Sequence, residues 1–182
     1  FMLTLILNFL HQVVTALTEI DSSEGGRDGE LTQVLAELRL VKNEGEIQQL
    51  GDAISTTMRV FGDVVRALPA DQPSPERLVE GVFRLRARLD GNTEGYGTIA
   101  AAGAHACTLH WVRNTGLCRP GELLLLYAGV EDAHLYTADI TRTLPISSEF
   151  APAQRQISDT AYPGTRATIA ANTPGTGWAA EP

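Results

Sequence analysis

Residues 123–143, LLLLYAGVEDAHLYTADITRT, constrain the fold more than any other part of this sequence. Two segments that cover and slightly extend this stretch have the apolar and β-branched content that is typical of strands. They are Glu122 to Val130 and Leu135 to Ile146. A short polar connection around residues 131–134 separates them, so the two strands are close enough in sequence to pair. The sequence therefore predicts a two-stranded hairpin within a larger sheet.

Helical periodicity dominates the sequence before this hairpin. One apolar face lies within residues 31–38, and a longer helix follows that should end at Pro69. We expect its apolar residues to form a buried stripe. These residues are Ile47, Leu50, Ile54, Met58, Phe61, Val65 and Leu68. A third helix should start at Ser74-Pro75-Glu76, with the serine as the cap and the proline in the first turn.

The remaining segments predict one more strand, one more helix, a low-order tail and an N-terminal segment that precedes the domain. Residues 98–107 are small and apolar and favour a strand, and a helix should begin near Phe150 with Pro152 in its first turn. Tyr162 to Pro182 is rich in Gly, Pro, Thr and Ala and predicts a disordered or poorly packed tail. Residues 1–30 are interpreted as the end of a preceding domain followed by a polar linker.

Net charge limits the classes of binding partner, and cysteine content indicates the cellular compartment. The net charge of −8 disfavours nucleic acid and anionic membranes, because both attract basic surfaces. Cys107 and Cys118 fit no zinc spacing, and two thiols in a chain of 182 residues are too few for a disulfide framework. We therefore expect a cytoplasmic protein whose cysteines are buried or half-buried apolar residues.

Four segments in order resemble the Xaa-Pro aminopeptidase (aminopeptidase P) and prolidase group of pita-bread metallopeptidases, peptidase family M24. They are ELRLVK at 37–42, GYGTI at 95–99 with GAHA at 103–106 and LHW at 109–111, the hairpin at 123–143, and QRQI at 154–157. The resemblance implies an α/β fold of the α+β type, with helices packed on a curved, mainly antiparallel sheet. It assigns residues 31–160 to the first half of that domain and leaves residues 161–182 as a low-order tail.

The resemblance also implies a metal site at the hairpin. The family uses two divalent ions, commonly manganese, which activate a bridging water and polarise the scissile carbonyl. Two hairpin aspartates, then a histidine and two glutamates, hold these ions. Asp139 matches one hairpin aspartate, whereas Tyr127 occupies the position of the other, so tight binding of two ions by this chain is not expected.

His110 matches the active-site histidine of the family, although a structural role beside Trp111 is an equal alternative. The alternative for Asp139 is a strand-end carboxylate that bonds to the backbone or to Arg142. His105 and His134 match no ligand position, and Glu131 and Asp132 should point away from the strand ends.

The family removes an N-terminal residue from peptides that have proline second. For this chain we expect a truncated and inactive relative, because Tyr127 replaces a ligand and no counterpart of the second half is recognisable. The alternative is a non-catalytic module that binds peptides or proteins. Association with a second copy, or with a chain that supplies the second half, is a further expectation, since half a sheet exposes an edge and an apolar face.

Overall fold

A computed structural model describes residues 27–171, and that part contains four α-helices, seven β-strands and one 3₁₀-helix. The helices are α1 (Arg27–Leu40), α2 (Glu44–Ala67), α3 (Glu76–Asp90) and α4 (Pro152–Ala171). The strands are β1 (Ser74–Pro75), β2 (Thr93–Glu94), β3 (Ile99–Ala102), β4 (Leu117–Cys118), β5 (Leu123–Ala128), β6 (Val130–Glu131) and β7 (Ile140–Pro145). The 3₁₀-helix, Gly103–Cys107, follows β3 directly. None of the described helices is both long and apolar enough to cross a lipid bilayer.

The main sheet has three antiparallel strands in the order β3-β5-β7. Tyr127 on β5 lies between Ile99 on β3 and Thr141 on β7. Alternate residues of β5 are fully buried, and these are Leu124, Leu126 and Ala128. The predicted pairing of the two hairpin strands is thus confirmed, although the second strand begins only at Ile140 and the first ends its long run at Ala128.

Helices α2 and α3 pack together and cover the buried face of the sheet. Phe83 of α3 is completely buried and meets Phe61 of α2 edge to face, with 6.1 Å between the ring centroids. Such a geometry aligns the positive edge of one ring with the negative face of the other. Ala53, Val60 and Val64 complete the α2 contribution to the core.

The predicted buried stripe of α2 is largely wrong. Of its seven residues only Phe61 is buried, Leu50 and Leu68 are half-buried, and the other four are exposed. A neighbouring face turns inward, because its small and β-branched side chains allow a close approach to α3. Thr57 on that face also satisfies the sheet, since its Oγ1 accepts a hydrogen bond of 3.0 Å from the buried Val130 N–H.

The third helix begins where the sequence predicts, but Ser74 does not cap it. Helix α3 starts at Glu76 after Pro75, which provides no side-chain cap hydrogen bond, and Ser74 instead pairs with Cys118 in a short antiparallel bridge. The predicted strand at 98–107 is likewise shortened. It ends at Ala102, because Gly103 adopts a φ of 53° and starts the 3₁₀-helix.

The last helix extends into the segment that was predicted to be a disordered or poorly packed tail. Helix α4 begins at Pro152, as predicted, but continues through Pro163 as far as Ala171. The alanines that follow Tyr162 favour a helical backbone. No side chain of α4 is buried, so its residues contribute nothing to the core. The predictions for residues 1–26 and 172–182 lie outside the described residues, while residues 27–30 of the predicted linker are helical.

Candidate metal and peptide site

Antiparallel pairing brings Tyr127 and Asp139 to adjoining strand ends. Ala128, next to Tyr127, pairs with Ile140, next to Asp139. Gly129 allows this approach: a Cβ on it would lie 1.6 Å from the Ala138 carbonyl oxygen. Asp139 is exposed and Tyr127 is half-buried. The two residues that the family resemblance assigns to the site therefore lie near each other at one end of the sheet.

A second tyrosine, Tyr96, lies at the same end of the sheet, although its sequence pattern does not predict a role there. The ring of Tyr96 stacks on that of Tyr127, with 4.6 Å between the centroids and 24° between the planes. The Tyr96 hydroxyl is buried close to the backbone of Ile140 and the side chain of Tyr127. Burial, followed by the negative charge of Asp139, raises the pKa of Tyr96 above its usual value. Tyr96 is therefore a neutral phenol at physiological pH.

His110 lies on the connection between β3 and β4. It is exposed and has a φ of 52°, a left-handed conformation that is uncommon for residues other than glycine. Among the described residues no hydrogen bond or ion pair joins His110 to Tyr127 or Asp139. The structure thus places the predicted histidine on a constrained turn but does not connect it directly to the strand-end pair.

A buried carboxylate, Glu76, holds the connection that carries His110. It is completely buried and accepts hydrogen bonds from the Ala102 N–H at 2.9 Å, the Gly116 N–H at 2.7 Å and Trp111 Nε1 at 2.9 Å. His105 Nδ1 lies 2.9 Å from the same carboxylate, and its ring stacks on Trp111 with 3.9 Å between centroids. These contacts come from residues 102–116, so one carboxylate holds several points of the segment between β3 and β4 in place.

The ionisation of Glu76 follows from the same contacts. Burial by itself would raise the pKa of Glu76, but hydrogen bonds from Ala102, Trp111, His105 and Gly116 outweigh it and hold the pKa below its usual value. The sequence alone indicates only an acidic residue at a helix start. A glutamate that follows Ser-Pro gave no sign of burial, because its donors lie 26 to 40 residues away.

Asn114 fixes the other end of this connection. It is completely buried; its Oδ1 accepts from the Ala100 N–H and its Nδ2 donates to the Thr98 carbonyl, both at 2.9 Å. The amide therefore pairs with the free edge of β3 as a neighbouring strand would. His110 thus lies between His105 and Trp111, which both contact Glu76, and Asn114 anchors the chain four residues further on.

The other candidate ligands have local roles. Asp132 Oδ1 accepts from the backbone N–H groups of His134 and Tyr136, and Glu131 accepts from Asn92 Nδ2, so both carboxylates bond to groups other than the strand-end pair. Arg142 donates to the Thr141 carbonyl at 2.7 Å and not to Asp139, so that suggested ion pair does not form.

The two cysteines play no part in this site. Cys118 is buried, and burial, followed by the charges of Glu76 and Glu122, raises its pKa to about 11, so it remains an unreactive thiol. Cys107 is exposed, which corrects the expectation that both are at least half-buried.

The strand-end residues do not fit a pair of divalent ions. Within residues 27–171 no group of three or more His, Cys, Asp or Glu side chains is arranged to hold a metal ion. Asp139 is one carboxylate, whereas two close cations need several anionic oxygen donors. The ring of Tyr127 is engaged by Tyr96, and hard cations prefer carboxylate and carbonyl oxygens as ligands.

The sequence profile of Metallopeptidase family M24 matches residues 47–180. Xaa-Pro aminopeptidase 1 of Streptomyces coelicolor is 53% identical over 90% of this chain and 33% of its own length. Human Xaa-Pro aminopeptidase 3 is 30% identical over 88% of this chain and 31% of its own length. The low-pH form of aminopeptidase P from E. coli superposes with a TM-score of 0.72 at 31% identity, covering 79% of this chain and 32% of that one. The chain thus spans about one third of the length of these relatives.

Proposed function

Because the chain belongs to Metallopeptidase family M24 and is similar to Xaa-Pro aminopeptidases, we propose that it supplies the first part of such a catalytic domain. The longer relatives are named for release of a residue that precedes proline, and peptides with proline second are therefore the proposed ligands. We propose further that the 182-residue chain does not hydrolyse these peptides by itself.

The observation that carries the proposal is the occupation of the second ligand position by Tyr127. Its ring stacks on Tyr96, and Asp139 is the carboxylate that remains at the strand ends. A dinuclear peptidase, with manganese as the proposed metal, needs further anionic donors to lower the pKa of its bridging water. These donors would have to come from outside residues 27–171, in this chain or in a second one.

The first experiment measures manganese binding and peptide hydrolysis by the purified chain, Tyr127→Asp and Tyr127→Asp/Asp139→Asn. We expect no turnover of a short Xaa-Pro peptide by the unmodified chain. Tyr127→Asp should bind Mn²⁺ more tightly, because it restores a carboxylate beside Asp139, and the double variant should lose that gain. Metal-dependent hydrolysis by the unmodified chain, abolished by Asp139→Asn, would refute the proposal.

A second candidate function, peptide binding without hydrolysis, is favoured by the tyrosine pair. Stacked aromatic rings offer a flat surface on which a proline ring packs, and the exposed Asp139 carboxylate beside them matches the N-terminal amine of a peptide. Chemical-shift changes at Tyr96 and Tyr127 should appear with Ala-Pro-Ala and be weaker with Ala-Ala-Ala. Equal responses to both peptides would exclude proline recognition by this pair.

The setting proposed for this activity is the cytoplasm, since both cysteines are free thiols. A chain that supplies the missing donors is the proposed partner for activity. Mixing this chain with such a partner should generate manganese-dependent turnover that neither shows alone.

A further inference from the structure

A cavity of about 420 Å³ lies at the end of the main sheet that is remote from Tyr127 and Asp139. It opens beside Ala102, which pairs with Leu124, whereas Ile99 at the other end of β3 pairs with Tyr127. Three residues of strand, about 10 Å, separate these two ends. The cavity is therefore separate from the candidate metal and peptide site.

Glu122 supplies this cavity with a carboxylate that lacks a protein partner. Its Oε2 is buried, and no group within residues 27–171 forms a hydrogen bond with it. Gly103 makes room for the carboxylate, because a Cβ at this position would lie 2.8 Å from the carboxyl carbon of Glu122. A buried carboxylate oxygen without a donor is costly. A ligand that brings N–H donors would remove this cost.

His105 lines the same cavity and offers a second acceptor. Its Nδ1 lies 2.9 Å from Glu76, whose pKa is held below its usual value by hydrogen bonds. Because an ionised carboxylate only accepts, Nδ1 carries a proton, and Nε2 of the neutral ring is then an acceptor. Stacking on Trp111 fixes the ring plane. Among the described residues Nε2 has no partner, so it is available to a ligand.

The charges of the cavity differ between its inner and outer parts. Glu122 is half-buried and Glu76, behind His105, is completely buried, so the inner part is anionic. Arg119 lines the cavity but is exposed, and it forms no ion pair with the residues that the structure describes. A guanidinium group presents a planar pair of N–H donors that matches a carboxylate. The cavity thus combines acceptors for a cation with donors for an anion.

From this arrangement we propose that the cavity binds a small α-amino acid in its zwitterionic form. The ammonium group has three N–H donors, and the three acceptors are Glu122, His105 Nε2 and the hydroxyl of Thr115, which also lines the cavity. The carboxylate of the ligand pairs with Arg119. This site goes beyond the proposed peptidase function, because neither a metal ion nor Tyr127 takes part in it.

The apolar part of the lining determines the size of the ligand side chain. It consists of Ala102, Ala104 and Leu117, and it contains no aromatic ring. Its volume is near the lower end of the range of small-molecule sites. A short apolar side chain fits this lining, and L-alanine is therefore the probe for the experiments.

The first test is isothermal titration calorimetry of the full chain with L-alanine, N-acetyl-L-alanine and L-alaninamide. We expect saturable binding of one L-alanine per chain. Both analogues should bind at least about tenfold more weakly, because each lacks one of the two charges. N-acetyl-L-alanine that binds as tightly as L-alanine would refute the ammonium site, and L-alaninamide that does so would refute the carboxylate site.

Two substitutions test the residues that hold the charges. Glu122→Gln keeps the size of the side chain and removes no internal hydrogen bond, so the variant should fold and bind L-alanine at least about tenfold more weakly. Arg119→Gln should also weaken binding. The matched controls are Glu149→Gln and Arg113→Gln, which make the same changes at exposed positions outside the cavity and should bind like the unmodified chain. Equal affinities of variants and controls would contradict the assignment.

Nuclear magnetic resonance distinguishes this site from the peptide site. L-alanine should shift the ring signals of His105 and leave those of Tyr96 and Tyr127 unchanged. Shifts confined to the tyrosines would transfer amino acid binding to the peptide site and overturn the proposal. No binding of L-alanine up to about 10 mM would also overturn it. Neither result depends on hydrolysis of an Xaa-Pro peptide, so the proposed function is tested separately.

Discussion

Replacing Glu76 by glutamine should destabilise the chain by several kcal/mol although the side chains are nearly equal in size. Gly116 N–H and Trp111 Nε1 donate to one carboxylate oxygen, whereas Ala102 N–H and His105 Nδ1 contact the other. In Glu76→Gln, the amide nitrogen replaces one of these two oxygens. Its N–H groups then point at the two groups that contacted that oxygen. A hydrogen bond to a charged group contributes about 1.5–3 kcal/mol, so the loss of two predicts a decrease of about 3–6 kcal/mol in the free energy of unfolding.

The assay is urea unfolding followed by the fluorescence of Trp111. The chain has a second tryptophan, Trp178, so the measurement uses a Trp178→Phe background. Glu149→Gln is the control, because this glutamate is exposed and its replacement should change stability by no more than about 0.5 kcal/mol. If Glu76→Gln lowers the free energy of unfolding by less than about 1 kcal/mol, the conclusion that this carboxylate holds the segment between β3 and β4 in place is refuted.

The pH dependence provides an independent check on the same carboxylate. The pKa of Glu76 is lowered in the folded state, and its unfolded value is about 4.3. Its contribution to stability is therefore complete above about pH 4.3 and is lost as the pH falls through the lower folded pKa. The Glu76→Gln variant should lose less stability on acidification than the unmodified chain. Parallel stability curves for the two proteins below about pH 5 would contradict the charge-based account.

Two further substitutions test the packing that positions the site, with urea unfolding as the measurement in both cases. Gly129→Ala should destabilise the chain by more than about 2 kcal/mol, since the new Cβ meets the Ala138 carbonyl oxygen, whereas Gly164→Ala has open space and should be neutral or stabilising. Phe83→Ala should cost about 3–5 kcal/mol because its ring is completely buried, and Leu85→Ala, more than half exposed, should cost far less. Equal effects within either pair would contradict these packing arguments.

The strands at the site were predictable because their signal is local. Apolar residues alternate along β5, and the pairing with β7 follows from the short connection between them. The fold class is confirmed as well: the helices and antiparallel sheet superpose on aminopeptidase P structures, which have the pita-bread fold. Position 127 was singled out through the resemblance of the hairpin to that of the family, and the observed register places it near Asp139.

The interior-facing side of α2 and the role of Glu76 were not predictable, for different reasons. Helix α2 carries two apolar faces, and periodicity does not say which one meets α3; the small side chains and Thr57 decide it. Glu76 depends on donors scattered over residues 102–116, and no spacing rule connects them to a helix start. Local patterns specify elements, whereas these two features arise from contacts between segments distant in sequence.

The contacts that shape the site are separate from those that would bind metal. Glu76 and Asn114 hold the His110 connection through hydrogen bonds, and Gly129 sets the approach of the strand ends. Tyr127 is accommodated at this end of the sheet by stacking on Tyr96. Hydrogen bonds and ring stacking between protein groups hold this frame. We therefore propose that replacement of a metal ligand impairs hydrolysis before it alters the surface that would meet a peptide.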